Sequence, residues 1–172
     1  LIRRLRRGPL DAAVALDLFE QVAAALAAAH DVGVIHRDLK PENIFLARFG
    51  SGDGREVVKV LDFGLAKLLE PLGEGPQTDA NQRIGTPRYM APEQADLDAV
   101  PDARWDVYAL GAMLFALLTG NPPYKTKEFK DTLQSAPTLS DRLQLYREML
   151  KSAESPALAL RKTAADSALI EI

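Results

Sequence analysis

His36-Arg37-Asp38-Leu39-Lys40-Pro41-Glu42-Asn43 puts an acid, a base and an amide within eight residues, between two apolar runs. Val34-Ile35 leads in and Ile44-Phe45-Leu46 leads out, which predicts a polar loop held between two short buried strands. Pro41 has no backbone donor and biases Lys40 away from helix, so the loop shape is restricted. A polar loop anchored this firmly is where proteins usually carry chemistry. Any two of these residues alone would read as a turn with solvated charges.

Working outward, Gly33 supplies a helix stop before the loop, and Asp11 is a plausible N-cap for the helix that the stop ends. Val14, Leu18, Val22 and Leu26 step by four, with Phe19 and Ala23 beside them, which predicts one apolar stripe on a helix running to about His30. His30 then reads as a helix-end residue facing the terminal carbonyls rather than as a ligand. Arg3, Arg4, Arg6 and Arg7 precede this helix. They could form a phosphate-binding patch, but no aromatic residue is interleaved, and the solvated face of a short helix is the preferred reading.

After the loop, a strand through Phe45-Leu46 and a second at Val57-Val58-Lys59-Val60-Leu61 flank the flexible turn Gly50-Ser51-Gly52-Asp53-Gly54. This pattern predicts a hairpin that returns Asp62 toward Asn43. From Leu65 to Pro92 periodicity is lost, and a long irregular segment inside a domain is usually functional. Ala103 to Thr119 is apolar on nearly all sides. It is short for a membrane span and carries Asp106, so a central buried helix ending at Gly120-Asn121-Pro122-Pro123 is expected. Leu139, Leu143, Tyr146 and Leu150 form the stripe of another helix, and Ser155-Pro156 resembles the start of a last one.

With 172 residues, 47% apolar and 26% charged, the composition is that of a globular domain with a real core. A net charge of −3 gives no case for nucleic-acid binding, and no membrane segment is predicted. Without cysteine there are no disulfides or thiolate metal sites, and two histidines make a histidine metal cluster untenable. The chain begins at Leu1 and ends at Leu169-Ile170-Glu171-Ile172 with no stop signal, so it is expected to be part of a longer protein.

The eight-residue loop resembles the catalytic loop of protein kinases. Asp62-Phe63-Gly64 resembles the metal-binding motif that opens their activation segment, and Ala91-Pro92-Glu93 the motif that closes it. The resemblance implies an α+β, protein-kinase-like fold: a mainly helical C-terminal lobe with a short β-hairpin, the N-terminal lobe absent. It implies one partial kinase catalytic domain over residues 1–172, with 125–172 poorly matched and truncated. Asp38 would be the catalytic base and Lys40 would offset charge on the transferring phosphoryl group; Asn43 and Asp62 would bind Mg²⁺. Lys40, Asn43 and Asp62 together would engage the ATP–Mg²⁺ complex.

Further residues follow the same resemblance. Arg37 would partner a phosphorylated activation segment, in which Thr78 is either the modified residue or an unmodified loop residue. Thr86 would hydrogen-bond near Asp38, and Asp106 resembles the buried aspartate that caps a central helix and holds the catalytic-loop backbone. His36 and Phe63 would link loop and metal motif by packing. Lys40-Pro41-Glu42-Asn43 with Gly85-Thr86-Pro87 is the serine/threonine type, and Tyr89-Met90-Ala91-Pro92-Glu93-Gln94 resembles the bacterial branch. The Gly-rich loop, the strand lysine and its glutamate do not occur in the chain, and the family's late arginine has only Arg147 or Arg161 as candidates.

The expected function is therefore ATP-dependent phosphorylation of Ser/Thr in protein substrates, in the cytoplasm or anchored to a membrane from outside this stretch. The 172-residue chain alone is expected to be inactive without the N-terminal kinase lobe as its partner. A kinase-like non-catalytic regulatory or scaffold protein is the alternative, and a small-molecule phosphotransferase ranks below both.

Overall fold

Asp11 starts the first long helix, its carboxylate accepting from the Ala13 amide at 2.9 Å. In a computed structural model of the chain, which describes residues 1–48, 56–63, 87–124, 127–153 and 156, this helix (α2) runs Ala12–Asp31, after a single turn (α1) at Ile2–Leu5. The expected turn at 50–54, Gly64, Thr78, Thr86, Arg161 and the Ser155 cap of a last helix lie outside the described residues. Gly33, at φ 76°, closes α2, with its amide on the His30 carbonyl and the Val34 amide on the Ala29 carbonyl. The buried stripe is Ala15, Leu18, Val22 and Leu26. By length and composition α2 could cross a membrane, but here its apolar stripe packs into the core.

The hairpin pairs β1 (Ile44–Arg48) with β2 (Glu56–Val60) antiparallel, in register from Ile44 opposite Val60 to Arg48 opposite Glu56. Gln21 of α2 covers the free edge of β2, accepting from the Val58 amide at 2.9 Å and donating to the Glu56 carbonyl at 3.4 Å. Burial works against the charge of Glu56, yet Arg48 and Arg4 hold its carboxyl below the ordinary value; Arg4 lies 2.5 Å away. Of the expected solvated helix face, Arg3 and Arg4 lie in α1 and Arg6 and Arg7 follow it; Arg3, Arg6 and Arg7 are exposed, while Arg4 is partly buried in its ion pair.

The lead-in strand at Val34-Ile35 does not form. The Val34 amide is taken by α2, the His36 and Arg37 amides go to a side chain, and Val34 stays 41% exposed. Only the lead-out is a strand, and it is buried on one face: Ile44 is enclosed while Phe45 is 54% exposed.

The central helix (α3) runs Arg104–Thr119 and ends at Gly120, φ 78°. It carries Ala109, Leu110 and Met113 into a core shared with Val22 and Leu26 of α2, Leu39 of the loop and Ile44 of β1. Asp106 lies in its first turn but does not cap it; the N-cap position is Ala103, without a side-chain bond. A second core joins Ala95 to Phe129 and Leu133 of α4 (Lys127–Ser135) and to Leu143 and Tyr146 of α5 (Leu139–Ser152). α5 opens with a reciprocal capping box between Thr138 and Asp141. α4 was not predicted: only Phe129 and Leu133, four apart, mark its apolar face. Among the described residues the architecture is mostly helical with one two-stranded antiparallel sheet.

Candidate active site

The loop from His36 to Asn43 is held mainly from behind. The Asp106 carboxylate, 1% exposed, accepts from the His36 amide through Oδ2 and from the Arg37 amide through Oδ1, both at 2.8 Å. His30 Nε2 lies 2.8 Å from the same Oδ2. His30 therefore does not serve the helix-end carbonyls as expected. It reaches across 76 positions to Asp106, where a buried carboxylate needs donors. Leu39, buried in the first core with residues of α2 and α3, also anchors the loop.

His36 is buried, and its Nε2 lies 2.9 Å from the Leu61 carbonyl. A carbonyl can only accept, so Nε2 carries the proton, and Nδ1 is left to accept from the Asp38 amide at 3.3 Å. The His36 ring also packs on Phe63, centroids 4.9 Å apart, which links loop and metal motif as expected. Arg37 adopts φ 69° and Asp62 φ 59°, left-handed conformations that non-glycine residues hold only when their surroundings over-determine them.

Within the loop, Lys40 Nζ lies 2.5 Å from Asp38 Oδ2. Asn43 Nδ2 donates to the Asp38 carbonyl at 2.9 Å and approaches Asp38 Oδ2 at 3.5 Å. Lys40 is extended, as the following proline requires, and Pro41–Asn43 form one 3-10 turn that sets the Asn43 side chain under Asp38. The Asp38 and Lys40 side chains remain 47% and 37% exposed, so the pair adds little to stability and is open to a substrate. The Leu61 amide donates to the Asn43 carbonyl at 2.8 Å, extending the hairpin ladder by one bond and bringing Asp62 to the loop. Asp38, Lys40 and Asn43 are thus in direct contact, and Asp62 is one residue beyond a bond to Asn43.

The oxygen donors suit a hard cation. The Asn43 amide nitrogen is committed to Asp38, which leaves its carbonyl oxygen as the possible metal donor, and Asp62 is exposed with no ion pair among the described residues. No cluster of three or more acidic, histidine or cysteine ligands occurs among the described residues.

Residues 1–165 match the sequence profile of the protein kinase domain. The chain belongs to the protein kinase family. Serine/threonine-protein kinase Pkn1 of Myxococcus xanthus is 50% identical over 116 residues, 67% of this chain and 16% of that protein. Serine/threonine-protein kinase pkn2 of the same organism is 42% identical over 120 residues, covering 70% and 14%. PknB of Mycolicibacterium smegmatis is 41% identical over 117 residues, covering 68% and 17%. The chain thus spans about one sixth of the length of these bacterial relatives. The kinase family uses ATP and a divalent metal ion generally.

Seen as a kinase chain, two further positions stand out. Arg37 Nε is buried without a hydrogen-bond partner among the described residues. Arg147 pairs at 3.4 Å with Asp96, so it does not take the late-arginine role opposite Glu93. Instead Tyr146 of α5, buried edge-to-face on Phe129, donates its hydroxyl to the Met90 carbonyl. Sequence reasoning missed this bond, and also missed Gln94, whose Nε2 donates to the Arg37 carbonyl at 2.5 Å. Gln94 closes the motif Tyr89–Gln94 and Tyr146 lies on the α5 stripe, but neither pattern names the carbonyl that the side chain reaches.

Proposed function

We propose that the chain supplies the catalytic loop of a protein serine/threonine kinase, which transfers the γ-phosphoryl of ATP to a Ser or Thr hydroxyl. The observation that carries this reading is the contact of Asp38, Lys40 and Asn43 on one loop backed by the buried Asp106. Asp38 would accept the hydroxyl proton as the hydroxyl oxygen forms its bond to phosphorus and ADP leaves with the electrons of the broken P–O bond. Lys40, free to turn from Asp38 toward the incoming phosphate, would offset its charge. Asn43, through its carbonyl oxygen, and Asp62, through its carboxylate, would hold Mg²⁺. When bound, the ion offsets charge on the phosphate oxygens.

Arg37, whose buried Nε has no hydrogen-bond partner among the described residues, suits a phosphorylated residue of the activation segment, for which Thr78 is the candidate. The exposed apolar face of the hairpin, Phe45, Val57 and Leu61, suits the other kinase lobe and a nucleotide base. Protein substrates are favoured over small molecules because Ala91-Pro92-Glu93 and a long activation segment are both in the sequence.

Incubating the protein, as its own gene encodes it, with labelled ATP, Mg²⁺ and a mixed Ser/Thr/Tyr peptide set tests the reading. Label on serine and threonine, lost with Asp62→Asn, is expected. Label on tyrosine alone, or nucleotide binding with no transfer, would replace it with another specificity or with the regulatory reading.

A further inference from the structure

The peptide unit between Arg37 and Asp38 is held at both poles. Its N–H, on Asp38, donates to His36 Nδ1 at 3.3 Å, and its C=O, on Arg37, accepts from Gln94 Nε2 at 2.5 Å. A peptide unit is planar, so two bonds at opposite ends fix its orientation and with it the direction in which the Asp38 side chain leaves the backbone. The need for such a clamp is local. Arg37 is left-handed at φ 69°, a conformation a non-glycine residue holds only when its surroundings fix it. Asp106 fixes the amide side of Arg37, and without Gln94 nothing described here would fix the carbonyl side.

Gln94 itself stands on a firm base. Its neighbours Ala91 and Ala95 are buried, its amide donates to the Ala91 carbonyl at 3.0 Å, and the Met90 carbonyl is held from α5 by the Tyr146 hydroxyl. The stretch Met90–Ala95 is therefore fixed to the helical core on one side and reaches the loop on the other.

We propose that Gln94 is a positioning residue for Asp38, its side-chain amide clamping the Arg37 carbonyl and so aiming the carboxylate at the substrate hydroxyl. The catalytic half of this proposal rests on the kinase reading above; the clamp does not.

Gln94→Met, of similar length but without a donor, and Gln94→Lys, which keeps one, separate the clamp from simple packing. In the protein as its gene encodes it, Gln94→Met should speed amide exchange at Asp38 and Leu39 about five- to tenfold, the effect of one lost hydrogen bond. It should also lower kcat about ten- to a hundredfold through misplacement of Asp38, with KM for ATP unchanged within about twofold. Gln94→Lys should recover most of both. Unchanged exchange at Asp38 and Leu39 in the methionine variant, or equal kcat loss in the two variants, would overturn the proposal. A wild-type protein that transfers no phosphate overturns the kinase reading and the catalytic half of this one, while the exchange comparison still decides the clamp.

Discussion

Replacing Asp106 by asparagine keeps size and shape but removes one acceptor from a carboxylate that three donors share. The new amide nitrogen must face either Oδ2's partners, the His36 amide and His30, or Oδ1's single partner, the Arg37 amide. The second choice sacrifices fewer bonds, so the variant should turn its NH₂ toward Arg37. A hydrogen bond to a charged group contributes about 1.5–3 kcal/mol, and the Arg37 N–H left unpaired costs about 1–3 kcal/mol more. Removing a buried charge offsets part of this, because Asp106 pays for its desolvation in the wild type. The expected net loss is about 3 kcal/mol. For a chain of this size, each kcal/mol lowers the thermal midpoint by about 2–4 °C, so a fall of about 6–12 °C is expected. Calorimetry gives the midpoint, and amide exchange locates the damage, which should concentrate at His36–Lys40. Combining Asp106→Asn with His30→Gln should be non-additive, since both act on one carboxylate. A midpoint within about 2 °C of wild type, or exchange that rises evenly over α3, would refute the reasoning.

Gly120→Ala should lose about 1–2 kcal/mol in chemical denaturation, because φ is 78° and a Cβ would lie 3.2 Å from Pro9 Cδ. Tyr146→Phe should lose about 1 kcal/mol, measured the same way, because the Met90 carbonyl loses its donor in a partly buried setting. Alkaline pH should lower the stability of the protein: burial, helped by Glu42, raises the Tyr89 hydroxyl from its ordinary 10.0 to about 12, and burial also raises Tyr146. The folded state therefore retains these protons longer than the unfolded chain, so their contribution is complete below pH 10.0 and declines as pH climbs toward 12. Stability that stays level across that window, followed by denaturant titration, would contradict the assignment.

How much could be read from the chain depended on whether the determinant was local. The loop shape followed from Pro41 and the αL stop at Gly33, and the hairpin followed from two apolar runs around a glycine-rich turn. The approach of Asp62 to Asn43 followed in turn from antiparallel pairing, and the Leu61–Asn43 bond realises it. The lead-in strand at Val34-Ile35 was misread because apolar residues alone do not supply a pairing partner, and the amides there went to Asp106 and α2 instead. The partners of His30, Gln94 and Tyr146 were illegible for another reason: each acts on a group 56 to 76 positions away, through a single hydrogen bond with no periodicity to betray it. α4 was missed because a nine-residue helix with two buried anchors barely exceeds the noise of its charged neighbours.

The most direct test of the account is phosphate transfer from ATP to a serine or threonine substrate by the protein as its own gene encodes it, with and without Asp38→Asn. A positioned general base contributes about 10²–10⁴-fold, so the variant should lose that much kcat while its fold and its affinity for ATP persist. Transfer undiminished in Asp38→Asn would contradict the central claim that this carboxylate, held between Lys40, Asn43 and the Asp106-backed loop, is where the chemistry occurs.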